Sequence, residues 1–216
     1  MFASLTPMSE GLRERKKART RATISDTAMA LFLERGFDRV TVAEVARDAD
    51  VSSATVFNYF PAKEDLFFDR ADEVVCHLAD VVRTRAAGES FVAACRRDML
   101  ELIRARDWRA GLAPHMADFH RMVDASPTLQ ARSRLLVDRS VAALAEVIAD
   151  ELTLAKEDVV VATTAWSLVA ARTTLLAQAQ RGVLDGVTPD DIADRLLDAT
   201  NRVFNLLERG FHGLGH

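Results

Sequence analysis

The sequence predicts an all-α chain, with a small three-helix unit at the N-terminus and a larger helical body behind it. Three observations carry this. The 216 residues are 49% hydrophobic but only 6% aromatic, and the β-branched residues fall inside helical periodicities rather than strict alternations. Helix starts and stops are written at many points, among them Gly36, Thr41, Ser52, Pro61, Gly88 and Thr188-Pro189. Within Thr41 to Leu66, two short helical patterns are joined by a tight turn.

Residues 1–12 lack periodicity and contain Pro7 and Gly11, so a disordered tail is expected there. From about Arg13 to Arg35 runs a first long helix, with Ile24, Ala28, Leu31 and Phe32 on one buried stripe and Gly36 as its stop. Thr41 and Glu44 are spaced as a capping box for a short second helix. The turn Asp48-Ala49-Asp50-Val51 follows. Ser52 caps a third helix, Ser53 to Phe60, which Pro61 stops. Val45, Val56 and Phe60 face a core shared with Phe37 and Val40. The N-terminal domain is therefore expected over residues 13–62, and a second over residues 63–216.

In that second domain Lys63 opens a long helix reaching about Ala87, which Gly88 breaks, and another spans Glu89 to about Arg106. Asp107 to Ser126, punctuated by Gly111, Pro114 and Pro127, reads as irregular. It is rich in Trp108, His115, Met116, Phe119, His120 and Met122, which are either core or the lining of an apolar pocket. Pro127 to about Leu152 forms a further helix. Between Val159 and Gln180 the one charged residue is Arg172, yet the threonines and glutamines are too many for a membrane span, so this helix is buried on more than one side. The last helix starts at Thr188-Pro189-Asp190-Asp191 and stops near Gly210. These two final helices are apolar beyond what one core needs, which suggests a dimer interface using Leu196, Val203, Leu206 and Leu207. Trp166 and Arg172 join the pocket candidates; Arg172 could equally be paired at the interface.

The charge is unevenly spread. The chain's net charge is −4, whereas residues 1–60 hold nine Lys/Arg against eight Asp/Glu. Six bases (Arg13, Arg15, Lys16, Lys17, Arg19 and Arg21) fall between Gly11 and Arg21 with Glu14 alone to oppose them. A basic arm before a near-neutral unit and an acidic body suits a protein that meets DNA with one end. The outward face of the third helix supports this. Ser53, Ala54, Thr55, Phe57 and Asn58 offer hydroxyls, methyls, a ring and an amide, where a merely solvated face would carry Glu and Lys. Thr41, Ser52, Tyr59 and Lys63 stand at helix ends beside it, placed for the phosphate backbone. No metal-ligand, nucleotide-loop or nucleophile spacing occurs, and Cys76 and Cys95 imply neither a disulfide framework nor a metal site. No cofactor and no catalysis are expected. No secretory signal precedes the domain, and a cytoplasmic location is expected.

Ala30-Leu31-Phe32, Arg35-Gly36-Phe37, Thr41-Val42, Val45-Ala46, Val51-Ser52, Thr55-Val56, Asn58-Tyr59-Phe60 and Lys63-Glu64-Asp65-Leu66 together resemble the DNA-binding domain of the TetR family of bacterial transcriptional regulators. The resemblance covers roughly Arg21 to Phe68. It departs at Asp50, where the family usually has Gly, and at Ala62, where a capping Ser or Asn is commoner. It implies a homodimer bound to a double-stranded, near-palindromic operator, with recognition helices about 34–36 Å apart. It further implies a second domain for dimerisation and ligand binding, and a repressor released when a small, apolar effector shifts the population of conformations. An enzyme that keeps a vestigial helix-turn-helix, and a DNA-binding structural protein with no small ligand, are the alternatives.

Overall fold

The computed structural model describes residues 8–113 and 116–210, and these form helices with no strand among them. They fall into two compact units, Met1–Asp69 and Arg70–His216. The first contains α1 (Met8–Arg35), a 3-10 turn (Phe37–Arg39), α2 (Val42–Asp48), α3 (Ser53–Tyr59) and α4 (Lys63–Phe67). The stripe Ile24, Ala28, Leu31 and Phe32 is buried as its spacing predicts, against Phe37, Val40, Val45, Val56 and Phe60. Helix α1 begins at Met8, inside the segment expected as a tail, while residues 1–7 lie outside the described part.

The unit does not end at residue 62. Leu66 and Phe67 are buried in it, and the Phe67 ring lies 6.3 Å from that of Phe32 and 6.0 Å from that of Phe37. A helix as short as α4 cannot hold itself together, so it belongs with the core that holds it. This also corrects the long helix expected from Lys63 to Ala87. The chain instead makes α4, an interruption at 68–70, and α5 (Ala71–Arg83). Asp69 is fastened to α1: its backbone carbonyl accepts Arg21 Nη2 at 2.8 Å and its carboxylate accepts the Ser25 hydroxyl at 2.7 Å. A carbonyl turned toward Arg21 is not available to a continuing helix.

The second unit comprises α5, α6 (Phe91–Arg104), a 3-10 turn (Trp108–Ala110), α7 (Met116–Ala125), α8 (Pro127–Leu152), α9 (Val159–Leu184) and α10 (Pro189–Gly210). Helix α5 packs on α6 and α8, α10 on α6 and α9, and α7 on α8 and α9. Helix α7 corrects the expectation that 107–126 is irregular. The prolines at 114 and 127 flank it rather than break it, and Met116, Phe119, His120 and Val123 recur at helical spacing. Helix α9 is long and apolar enough to cross a membrane by length and composition. Its inner stripe Val161, Ala165, Leu168, Leu175 and Ala179 is instead buried in the core of this unit.

Candidate nucleic-acid interface

The local chemistry of the first unit sets the pose of α3. The Thr41 hydroxyl accepts the Glu44 amide at 3.2 Å, and Glu44 Oε2 accepts the Thr41 amide at 2.8 Å and its hydroxyl at 2.7 Å. These bonds hold the Glu44 carboxyl below its ordinary value. The turn is closed by Val51 N–H donating to Ala46 O at 2.9 Å, with Asp50 at a φ of 53°. An aspartate in this left-handed region costs about 1 kcal/mol that Gly would not. Ser52 Oγ then caps α3 by accepting the Thr55 amide at 3.0 Å. Val56 is fully buried, which rotates Ala54, Phe57 and Asn58 outward, with Ser53, Thr55 and Tyr59 half-buried at the margins.

Several of the candidates also serve the fold. The hydroxyl proton of Thr41 is engaged by Glu44, so that residue is a cap first. The Ser52 and Thr55 oxygens are 2.8 Å apart, sharing one hydroxyl proton and leaving one to offer. Lys63 Nζ lies 4.2 Å from the centroid of the Phe37 ring. Burial pushes its amine down from the ordinary value, against the attraction of Asp38, Glu64 and Glu44. Ala62 gives no side-chain cap, and Asp65 serves instead by accepting the Ala62 amide at 3.0 Å. Arg13, Arg15, Lys16 and Lys17 are exposed on the first turns of α1. Arg21 is not part of that arm. Its guanidinium sits 4.5 Å over Phe60 and holds Asp69. The sign in the sequence is that Arg21 precedes Ile24 and Ser25 by one turn, on the buried stripe.

The structure distributes the pocket candidates unevenly. Met116 is buried, Phe119 and Met122 are half-buried on α7, and Trp108 lies under the Arg70 guanidinium at 4.2 Å. His115 lies outside the described residues. Trp166 is corrected: at 49% exposure it stands on the outer stripe of α9, not in an interior. Arg172 is buried, donating to the Arg109 carbonyl at 3.0 Å, with Asp98 Oδ2 3.8 Å away. Asp98 in turn meets His77 Nε2 at 2.8 Å. Reasoning from the sequence misses His77 and Asp98. Their signal is a carboxylate at position 98 on the stripe of Phe91, Cys95 and Leu102. Burial, with Asp98 nearby, pushes the Cys95 thiol up to about 12, so it is no nucleophile at neutral pH. A separate cleft of about 210 Å³ is lined by Gln178, Arg181, Gly182, Asp185, Val187, Ile192 and Arg195, and includes none of these candidates.

Of the dimer candidates, Leu196 is corrected, being fully buried in the core of its own chain. Val203 and Leu207 are half-buried against that core, and Leu206 is 71% exposed.

A three-helix core presenting a short, uncharged helix, followed by a separate helical unit, is the arrangement of a helix-turn-helix protein. The profile described as bacterial regulatory proteins, tetR family, matches residues 24–69. Over residues 24–69 the chain therefore carries the N-terminal domain of the TetR family. It is 31% identical to the HTH-type transcriptional regulator TcmR of Streptomyces glaucescens over 148 residues, 67% of this chain and 65% of that protein. It is 25% identical to the nucleoid occlusion factor SlmA of Pasteurella multocida over 62% of this chain and 65% of that protein. The chain thus matches slightly less than two thirds of the length of either relative. The structure of native NalD, the secondary repressor of the MexAB-OprM multidrug efflux pump in Pseudomonas aeruginosa, is similar with a TM-score of 0.55. That match covers 86% of this chain and 97% of that one at 20% identity, a likeness of fold.

Proposed function

We propose that the chain is a sequence-specific transcriptional regulator that binds double-stranded DNA as a homodimer in the cytoplasm and represses until a small hydrophobic ligand releases it. The observation that carries this reading is the face of α3: no charge, an exposed ring, a methyl and an amide, raised on a helix whose opposite side is fully buried. Such a face reads base edges, while the exposed Arg13, Arg15, Lys16 and Lys17 supply phosphate contacts. Repression agrees with the role of NalD. Support for release by a ligand comes from the half-buried Trp108, Phe119 and Met122, which leave apolar surface only partly covered by their own chain. The ligand must bind one conformation more tightly than another, since equal affinity shifts nothing.

A second reading, DNA binding without a small ligand, is favoured by the similarity to a nucleoid occlusion factor. Selection of binding sites from random duplexes, followed by footprinting with and without a library of apolar compounds, tests both. An enriched near-palindrome that compounds release supports the first reading. A palindrome that no compound releases supports the second. No enrichment at all overturns the regulatory reading.

A further inference from the structure

The outer face of α3 is more apolar than a hydrogen-bonding face would be. Phe57 is 49% exposed although its neighbour Val56 is fully buried, and Ala54, one turn before it, is exposed too. Phe57 and Leu33 are the two large apolar side chains left exposed among the described residues of the first unit. Leu33 lies on α1, away from the reading helix in sequence. The Ser52 and Thr55 hydroxyls at the margin bond each other at 2.8 Å, and Ser52 also holds the Thr55 amide at 3.0 Å. The polar edge of the face is thereby turned toward its own cap. What stands furthest out is a methyl, a phenyl ring and the Asn58 amide.

In the major groove thymine alone presents a methyl group, and apolar side chains recognise it by contact. Asparagine pairs with the N6 and N7 edge of adenine. A phenyl ring has nothing to offer the donors and acceptors of guanine or cytosine, and would strip water from them without replacing it. Ala54 lies three residues before Phe57 and four before Asn58, so the methyl has the ring on one side and the amide on the other, on one face of the helix.

We infer that Phe57, together with Ala54, reads the C5 methyl of a thymine in each operator half-site, beside an adenine read by Asn58. This rests on α3 being the recognition helix, and it adds the base chemistry that the helix selects. A ring lying against the sugar-phosphate backbone would do something different: its removal would weaken binding to every sequence alike.

The test uses the full chain and its selected operator, with each thymine replaced in turn by deoxyuridine, which removes the methyl alone. At one or two positions per half-site the parent should lose affinity about fourfold for each methyl removed. Phe57→Ala, whose fold is checked by circular dichroism, should bind the thymine and deoxyuridine versions of those positions equally. Asn58→Ala should keep the methyl preference and lose the adenine preference. A parent indifferent to deoxyuridine at every position overturns the inference, as does a Phe57→Ala variant that still discriminates. Either result leaves the regulatory reading standing, because the operator has by then been selected. A selection that enriches no sequence overturns that reading and this inference together.

Discussion

Asp98 is the residue whose surroundings demand most of it. It lies among Phe91, Cys95 and Leu102 on the buried side of α6, between His77 at 2.8 Å and Arg172 at 3.8 Å. Removing one member of a buried ion pair leaves the other charge uncompensated, at a cost of about 3–5 kcal/mol. Asp98→Ala should therefore destabilise strongly in chemical denaturation. Adding Arg172→Met should restore much of the loss, since an apolar replacement of both partners is often neutral. A loss under about 1 kcal/mol for Asp98→Ala would show that Arg172 is solvated after all. His120 makes a pH prediction. Burial lowers its ionisation below the ordinary 6.5, with Asp124 opposing, and its Nε2 is buried without a hydrogen-bond partner among the described residues. The unfolded chain then binds the proton more readily than the folded one. The contribution of a neutral His120 is complete above 6.5 and diminishes as the pH falls from there toward the lowered folded value. His120→Gln should flatten the decline in melting temperature over that window. Parallel curves for parent and variant would assign the decline elsewhere.

At the scale of elements, the basic start of α1 can be separated from the core it leads to. Among its described side chains the first buried one is Ile24, so deleting residues 1–17 removes Arg13, Arg15, Lys16 and Lys17 and leaves that buried stripe in place. The deletion should weaken binding to all sequences alike and flatten the dependence on salt. The slope of log affinity against log salt should drop by roughly one for each phosphate that the shortened chain no longer neutralises. An unchanged slope would show that this segment does not touch DNA. The same scale shows what can be read from the chain alone. Caps and stripes are local, so the capping box at Thr41, the Ser52 cap, the stop at Gly36 and the stripe from Ile24 to Phe32 are all legible. The break between α4 and α5 is not, because it is set by Arg21 and Ser25, more than forty residues away in sequence. The face of α3 is legible because Val56 alone determines which way the helix turns. The meeting of His77, Asp98 and Arg172 is not, since it joins three helices whose packing no single stripe records. Prolines mislead at α7: they mark the ends of a regular helix, where their density suggests an irregular segment.

For the whole molecule, the question left by the fold is what covers α9. Its inner stripe is buried, but Val159, Thr163, Trp166, Ala170 and Thr173 recur along the opposite side, all exposed and all uncharged. Trp166 on α9 and Leu206 on the neighbouring α10 lie at about the same distance from the turn joining these helices, so both can share one outer surface. An uncharged surface bearing a half-exposed tryptophan suits the centre of a protein interface, where aromatic anchors carry most of the binding energy. The sequence pattern alone does not say which leucines of α10 face outward; it offers Leu196, which the core takes, alongside Leu206, which stays in water. The expected consequence is that Trp166→Arg or Leu206→Asp leaves the helical content of the chain intact, because neither side chain is in its core. Each should weaken self-association about tenfold or more in sedimentation, roughly what the loss of one anchor costs. Operator affinity should fall with it, since a monomer holds a single half-site. A parent that sediments as a monomer at micromolar concentration overturns self-association itself, and variants that both associate as the parent does show that the copies meet elsewhere than on this outer stripe.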